Sequence, residues 1–289
     1  MSLKEIVQIL VLMFFVHAAS VCEARSVTDE MGRVVSMPDH PHRLVCLVPS
    51  VVDDVYALGA GADVLAVTDY SKYPAEAKAK PSIGLPLNPS IEKIISLHPD
   101  LVLGDGNMNQ RATIEQLQRL AIPVFLVAPH GVEGIYRSIS SLGMALNRNE
   151  AARNLIGLLR GRENAVRGRV RGKPTISILM PLWYNPITTI GKHAFITELI
   201  EIAGGHSVTS ELPQEWPQVS MEAVLAWAPQ AIILEQGSKI SMDQIRGLPG
   251  WSTLPAIRNR KIFTVDDRID SPSPVAFDAL ERLDQQFHP

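Results

Sequence analysis

Short apolar runs alternate along this chain with longer stretches in which apolar residues recur every third or fourth position. The first pattern predicts buried strands and the second amphipathic helices. Residues 27–38 read as a small hairpin turning at Met31-Gly32. A strand over 43–48 stops at Pro49, and Ser50 is placed to cap a helix that runs to Leu58 and closes at Gly59. Strands follow at 64–68, 101–104 and 123–127. Helices fall at 90–97, capped by Ser90 and broken by Pro99, and at 110–120. Strands alternating with helices imply a parallel sheet with helices on its faces.

From Val132 to Val170 there is no proline, and Ile135, Ile139, Leu142, Leu146, Leu155, Leu158 and Leu159 keep helical spacing. Gly143, Asn147 and Gly157 argue against one unbroken helix, but the stretch reads as a long helical spine. The alternation then resumes, with strands at 174–180, 231–235 and 261–265 and helices at 193–203, 220–227 and 273–287. The expected fold is α/β: two α/β lobes with parallel sheets, bridged by the spine, with a ligand cleft between them. The expected division is 1–24 signal peptide, 25–130 N-terminal lobe, 131–172 spine and 173–289 C-terminal lobe.

An internal repeat supports two lobes. SIEKIISLHPDLVLG (90–104) aligns without gaps on SMEAVLAWAPQAIIL (220–234), each giving Ser-x-Glu, an apolar helix, Pro and an apolar strand. Ligands in such folds lie beyond the carboxyl ends of the strands.

Composition narrows the function classes. With 289 residues, 46% hydrophobic and 20% charged, the chain has ample material for a core. A net charge of −3 argues against non-specific nucleic-acid binding, which needs a basic surface. Two cysteines make neither a disulfide scaffold nor a Cys-rich zinc site, and Cys46, inside LVCLV, reads as a buried, inert thiol. Residues 6–16, IVQILVLMFFV, have the length of a signal-peptide core, and Ala24 offers a cleavage point. Val21 precedes Cys22, where a lipoprotein signal carries Gly, Ala or Ser, so a lipid anchor at Cys22 is the secondary reading. The expectation is export to the periplasm.

Catalytic signatures are missing: G-x-S-x-G, HExxH and a phosphate-binding P-loop do not occur. His40-Pro41-His42 offers two imidazoles in a proline-stiffened loop, and the other histidines show no ligand spacing. Aromatic residues are sparse, and Tyr70, Tyr73, Trp183, Tyr184 and Trp216 all fall after strands or in loops, where a planar ligand could stack on them.

Several segments resemble the periplasmic substrate-binding proteins that serve ABC importers of metal chelates: cobalamin, siderophores and haem. They are TDEMGRVV near the start, HRLVCLVPS (42–50), ALGAG (57–61), YSKYP (70–74), PDLVLG (99–104), TTIGKHAFITELIEIAGG (188–205) and WPQVSMEAVLAWAPQAII (216–233). The last is closest to the cobalamin-binding member. The resemblance implies a non-catalytic carrier with no cofactor of its own, acting as a monomer. It would deliver a corrinoid or other metal chelate to an ABC importer permease dimer. It also implies that Glu92 and Glu222, one in each copy of the repeat, dock the two lobes on that permease. Tyr70, Trp216 and Asp267 match ligand-contacting positions. Pro86, Asp105 and Thr188 stand where large aromatics are expected and Ser271 replaces an arginine, with Trp183, Tyr184 and Arg268 as candidates to compensate. An iron–siderophore or haem carrier is the alternative within the class, and Arg268 is the one evident cation for it. From other classes, an exported chelate-acting enzyme would need a nucleophile beside a base. A tethered sensor domain would not need the paired glutamates.

Overall fold

The computed structural model describes residues 24–236, 240 and 242–288; the expected signal peptide and Cys22 lie outside the described residues, apart from Ala24. Strands β1 (Ala24–Thr28) and β2 (Val34–Pro38) form the expected antiparallel hairpin. Its turn is tied by Asp29, whose carboxylate accepts from the Met31 and Arg33 amides and from the Arg33 guanidinium. Glu30 fastens the hairpin to the rest of the chain by accepting from the Ala128 amide and the Ser138 hydroxyl.

The first lobe contains β3 (Leu44–Cys46), α1 (Pro49–Ala57), β4 (Val64–Ala66), the small pair β5 (Gly84–Leu85) and β6 (Asn88–Pro89), α2 (Ile91–Ser96), β7 (Leu101–Asp105), α3 (Arg111–Arg119) and β8 (Val124–Val127). Its parallel sheet has the order β4-β3-β7-β8. Two helices follow, α4 (Gly131–Ala145) and α5 (Asn149–Val170). The second lobe contains β9 (Ile176–Leu179), β10 (Pro181–Tyr184), β11 (Ile187–Thr189), α6 (Phe195–Ile202), β12 (Gly205–Ser207), β13 (Gln218–Val219), α7 (Met221–Trp227), β14 (Ala231–Glu235), α8 (Met242–Gly247), α9 (Pro255–Arg258), β15 (Ile262–Val265) and α10 (Ala276–Phe287). Its parallel sheet has the order β12-β9-β14-β15. Counted along the chain, both orders are second, first, third, fourth, so the repeat seen in the sequence is a repeat of topology. It also extends past the aligned segment. At the same offset of 130, β6 matches β13 and Asp105 at the end of β7 matches Glu235 at the end of β14.

Alternation within the strands explains the layering. Leu44, Cys46, Leu101 and Leu103 point into one apolar cluster, while Val45 and Val102 point into another with Ile94, Ile114 and Leu117. In the second sheet Ala231 and Ile233 join the first cluster, whereas Ile232 and Leu234 pack with Val224, Ile245 and Trp251. The shared cluster runs through Ile139, Leu142, Leu159 and Val166 to Phe277 and Leu280. Both sheets therefore lean on one common layer of helices, and each has its own outer layer. Arg162 reinforces that layer with bonds of 2.7 Å to Asp278 and 2.8 Å to Glu281, and Arg169 with one of 2.6 Å to Asp284.

The helical segment is two helices, broken at one of the residues that argued against a single helix: Asn147 takes a left-handed φ of 54° and turns the chain between them. Two sequence expectations change. Helix α1 starts at Pro49 without a side-chain cap, and the buried Ser50 hydroxyl has no hydrogen-bond partner. The strand expected over 174–180 stops at Leu179, and a further antiparallel sheet, β10-β11-β13, was not foreseen. Cys46 is fully buried, which pushes its thiol up to about 12 and keeps it inert.

Candidate interlobe cleft

The carboxyl ends of β3, β4 and β7 in one lobe face those of β14 and β15 in the other. Between them lies a chamber of about 280 Å³. Ser50 and Asp53 reach it from the first turns of α1, Tyr70, Lys72 and Tyr73 from the loop after β4, and Met108 from the loop after β7. From the second lobe come Glu235, at the end of β14, and Asp267, Arg268, Asp270, Ser271 and Pro272, in the turn after β15. Every contributor follows a strand, as expected where the sheets' carboxyl ends meet. A second, shallower hollow of about 620 Å³ opens on the other side of Tyr73 and Arg268.

Polar contacts cross the chamber directly. The Lys72 ammonium sits 2.5 Å from Asp267 Oδ2, and the Tyr73 hydroxyl donates to Asp267 Oδ1 at 3.2 Å. The Arg268 guanidinium lies over the Tyr73 ring, 5.4 Å from its centroid. Deeper in, Asp53 accepts from the hydroxyls of Ser271 and Ser273, both at 2.9 Å. The two lobes are thus held together across the cleft by Lys72–Asp267 at the mouth and Asp53 at the floor.

The lining is rich in carboxylates with raised pKa. Desolvation pushes Asp53 up to about 6 against the lowering effect of its two serine donors. Asp270 remains in contact with solvent inside the cleft, yet its concave surroundings, the neighbouring Glu235 and Asp267 charges and its bond to Glu235 push it up to about 7. Glu235, hydrogen-bonded to Asp270, is raised as well, chiefly by burial. Asp105, the repeat counterpart of Glu235, is 2% exposed and pushed up to about 6 by burial; it lies beneath the cleft and does not line it.

The sequence-derived residues distribute unevenly. Tyr70, Asp267 and Arg268 line the chamber. Arg268 is not a free cation: it makes a two-pronged bond to Asp266 and a third bond, 3.1 Å, to Asp278. Trp183 and Tyr184 stack on each other at 5.0 Å in β10, on the hairpin that leaves the carboxyl end of β9, outside the chamber. Trp216 stands 47% exposed in the loop entering β13, also outside it. Of the positions lacking the expected aromatics, the Pro86 carbonyl accepts from Asn109 and Thr188 turns back on Pro186, while Ser271, in place of the expected arginine, donates to Asp53. Sequence reading missed Asp53, Lys72, Glu235 and Asp270. The signal for Glu235 was available, since it follows the repeat's aligned strand just as Asp105 does. Glu92 and Glu222 are both exposed, each two residues beyond a serine whose hydroxyl caps the helix. The Glu222 backbone amide and, after it, the Ser220 hydroxyl donate to the Glu222 carboxylate and hold it below its usual value. Among the described residues no group of three or more His, Cys, Asp or Glu is arranged to hold a metal ion. His42 pairs with Asp63 at 3.3 Å, and His40 lies near Asp39 and Asn147.

The chain is similar to known proteins in sequence and in fold. An uncharacterised ABC transporter substrate-binding lipoprotein of Bacillus subtilis (strain 168), YvrC, is 28% identical over 275 residues, covering 91% of this chain and 85% of the relative. The vitamin B12-binding protein of Yersinia pestis (strain Pestoides F) is 29% identical over 246 residues, 85% of this chain and 86% of the relative. In fold, the periplasmic haem-binding protein RhuT of Roseiflexus sp. RS-1 matches with a TM-score of 0.77 at 24% identity, over 86% of this chain and 98% of that one. The periplasmic binding protein family model matches residues 44–269, most of both lobes. The chain belongs to the periplasmic binding protein family.

Proposed function

We propose that this protein is an exported carrier that holds a metal chelate, a corrinoid such as cobalamin, between its lobes and hands it to an ABC importer. It acts as a binding protein, not an enzyme, and docks the permease through Glu92 and Glu222. The observation that carries the corrinoid reading is the character of the cleft. Its charged lining is predominantly acidic, with Asp53, Glu235, Asp267 and Asp270 against the cations Lys72 and Arg268, and an exposed tyrosine stands at the mouth. Such a surface suits the amide donors around a corrin ring and repels the carboxylates of haem or of an anionic siderophore. The B12-binding relative supports the same choice.

A corrinoid is larger than the 280 Å³ chamber. In this reading it rests on the mouth, against Tyr70, Met108 and Trp216, and displaces Lys72 from Asp267, whose carboxylate then accepts from the ligand. Trp183, Tyr184 and Arg268 are further ligand contacts in the proposal, on the second lobe's side. An iron–siderophore or haem ligand is the second reading, favoured by Lys72, the cation at the mouth that an acidic ligand would use, and by the haem-binding structural neighbour.

The test is a thermal-shift and tryptophan-fluorescence screen of the mature chain against cyanocobalamin, cobinamide, haemin and ferric hydroxamates. A ligand that binds only the native state raises its melting temperature. A shift with the corrinoids is expected. A shift with haemin or a siderophore alone would replace the ligand, and no shift with any of them would overturn the carrier reading.

A further inference from the structure

The duplicated helices α2 and α7 carry more than their glutamates. In each, the residue at the fourth helical position is fully buried, Ile94 in one and Val224 in the other. This fixes the same rotation for both helices. It leaves Glu92 and Ile95 together on the outer face of α2, and Glu222 and Leu225 together on that of α7. Ile95 is 39% and Leu225 41% exposed, and the two are exact counterparts at the repeat offset of 130. A single exposed aliphatic residue is unremarkable. An acid–aliphatic dyad preserved in place on both lobes, with the same serine cap before it, is a duplicated surface.

Topology places both dyads on the same side of the molecule. Each helix leads through a proline into the amino end of the strand after it, β7 or β14, so each begins level with the carboxyl ends of the strands. One dyad therefore stands on the rim of each lobe, with the cleft between them.

We infer that Ile95 and Leu225 complete the docking surface, each seated in an apolar recess beside a cation on a partner with matching two-fold-related recesses. The partner's chemistry follows from the surface: a carboxylate and an aliphatic side chain presented twice call for an arginine and an apolar hollow presented twice. This inference rests on the transport reading, in which that partner is the importer's permease pair. The glutamates steer the encounter, and the aliphatic residues supply the desolvated centre of each contact.

The experiment measures uptake of radiolabelled cyanocobalamin by cells carrying the full chain as sole copy, alongside cyanocobalamin binding by the purified protein. The variants are Ile95→Asp, Leu225→Asp and both together. Leu158→Asp is the control, an exposed aliphatic on α5 away from the rim. Uptake should fall about tenfold for each rim substitution, the loss of one interface hot spot, and further for the pair. Binding of cyanocobalamin and the melting temperature should be unchanged, and Leu158→Asp should take up normally. Uptake that depends on the chain but survives the double substitution overturns the inference and leaves the transport reading intact. Cyanocobalamin uptake that does not depend on the chain overturns the corrinoid transport reading and this inference with it. A concentration-dependent dimer of the wild-type chain that Leu225→Asp dissociates would assign the surface to a second copy and likewise overturn the inference.

Discussion

Replacing Lys72 by methionine tests whether the cleft is latched shut in the free protein. Lys72 and Asp267 meet across the mouth at 2.5 Å, but Lys72 is 55% and Asp267 27% exposed, so solvent screens the pair. A pair of this kind contributes about 0.5–1 kcal/mol, well below what its geometry alone suggests. If the ligand must displace the ammonium, that energy is subtracted from its binding. Removing it should tighten the affinity for cyanocobalamin about two- to fivefold. Raising the salt concentration should tighten wild-type binding in the same direction and leave Lys72→Met indifferent, because screening already does what the substitution does. Calorimetric titration at low and high salt reads both effects. Weaker binding by Lys72→Met would refute the latch. It would mean that Lys72 contacts the ligand, and would favour an anionic chelate.

Reversing charge at both proposed docking residues, Glu92→Arg with Glu222→Arg, should leave chelate affinity intact and abolish uptake; normal uptake in that variant would end the proposed docking role. The carboxylates with raised pKa should make the fold more stable at mildly acidic than at alkaline pH. Asp53 near 6 and Asp270 near 7 bind protons in the folded state that the unfolded chain releases near 4, so their stabilisation is full below that value and is lost as pH rises through 6–7. The melting temperature should accordingly fall between pH 5 and pH 8, and Asp53→Asn should flatten that slope and melt a few degrees higher than wild type at pH 8; an unchanged slope would show that Asp53 is ionised throughout. Gly191→Ala would place a methyl group 2.0 Å from the Gln214 carbonyl and push away the loop that carries Trp216. A cost of about 2–4 kcal/mol in chemical denaturation is expected, together with weaker ligand binding if Trp216 is a contact; unchanged affinity would remove Trp216 from the site.

The sequence by itself determined the elements and their duplication. Strands such as Leu44–Cys46 and Ala231–Glu235 are apolar on both faces, which only a sheet covered by helices on both sides can satisfy, so the layered α/β class was legible. The 130-residue repeat announced two lobes, and it paired Glu92 with Glu222 before any contact was known. The short β10-β11-β13 sheet was not legible, because its strands are only two to four residues long, below what periodicity can register, and β10 opens on a proline.

The cleft was only partly written in the chain. Tyr70, Asp267 and Arg268 were named from resemblance and do meet there. Asp53 joins Ser271 and Ser273 across more than two hundred residues, and Lys72 finds Asp267 across nearly as many, pairings that no local pattern encodes. Whether Arg268 was a free cation also depended on the fold, since Asp278 on the last helix swings under the turn after β15 to claim it. Periodicity reports what each segment buries, a preference set by neighbours a few residues away. Which polar groups face each other over a cleft is set by how two sheets lean on one shared layer of helices, and that layer exists only once the chain has closed.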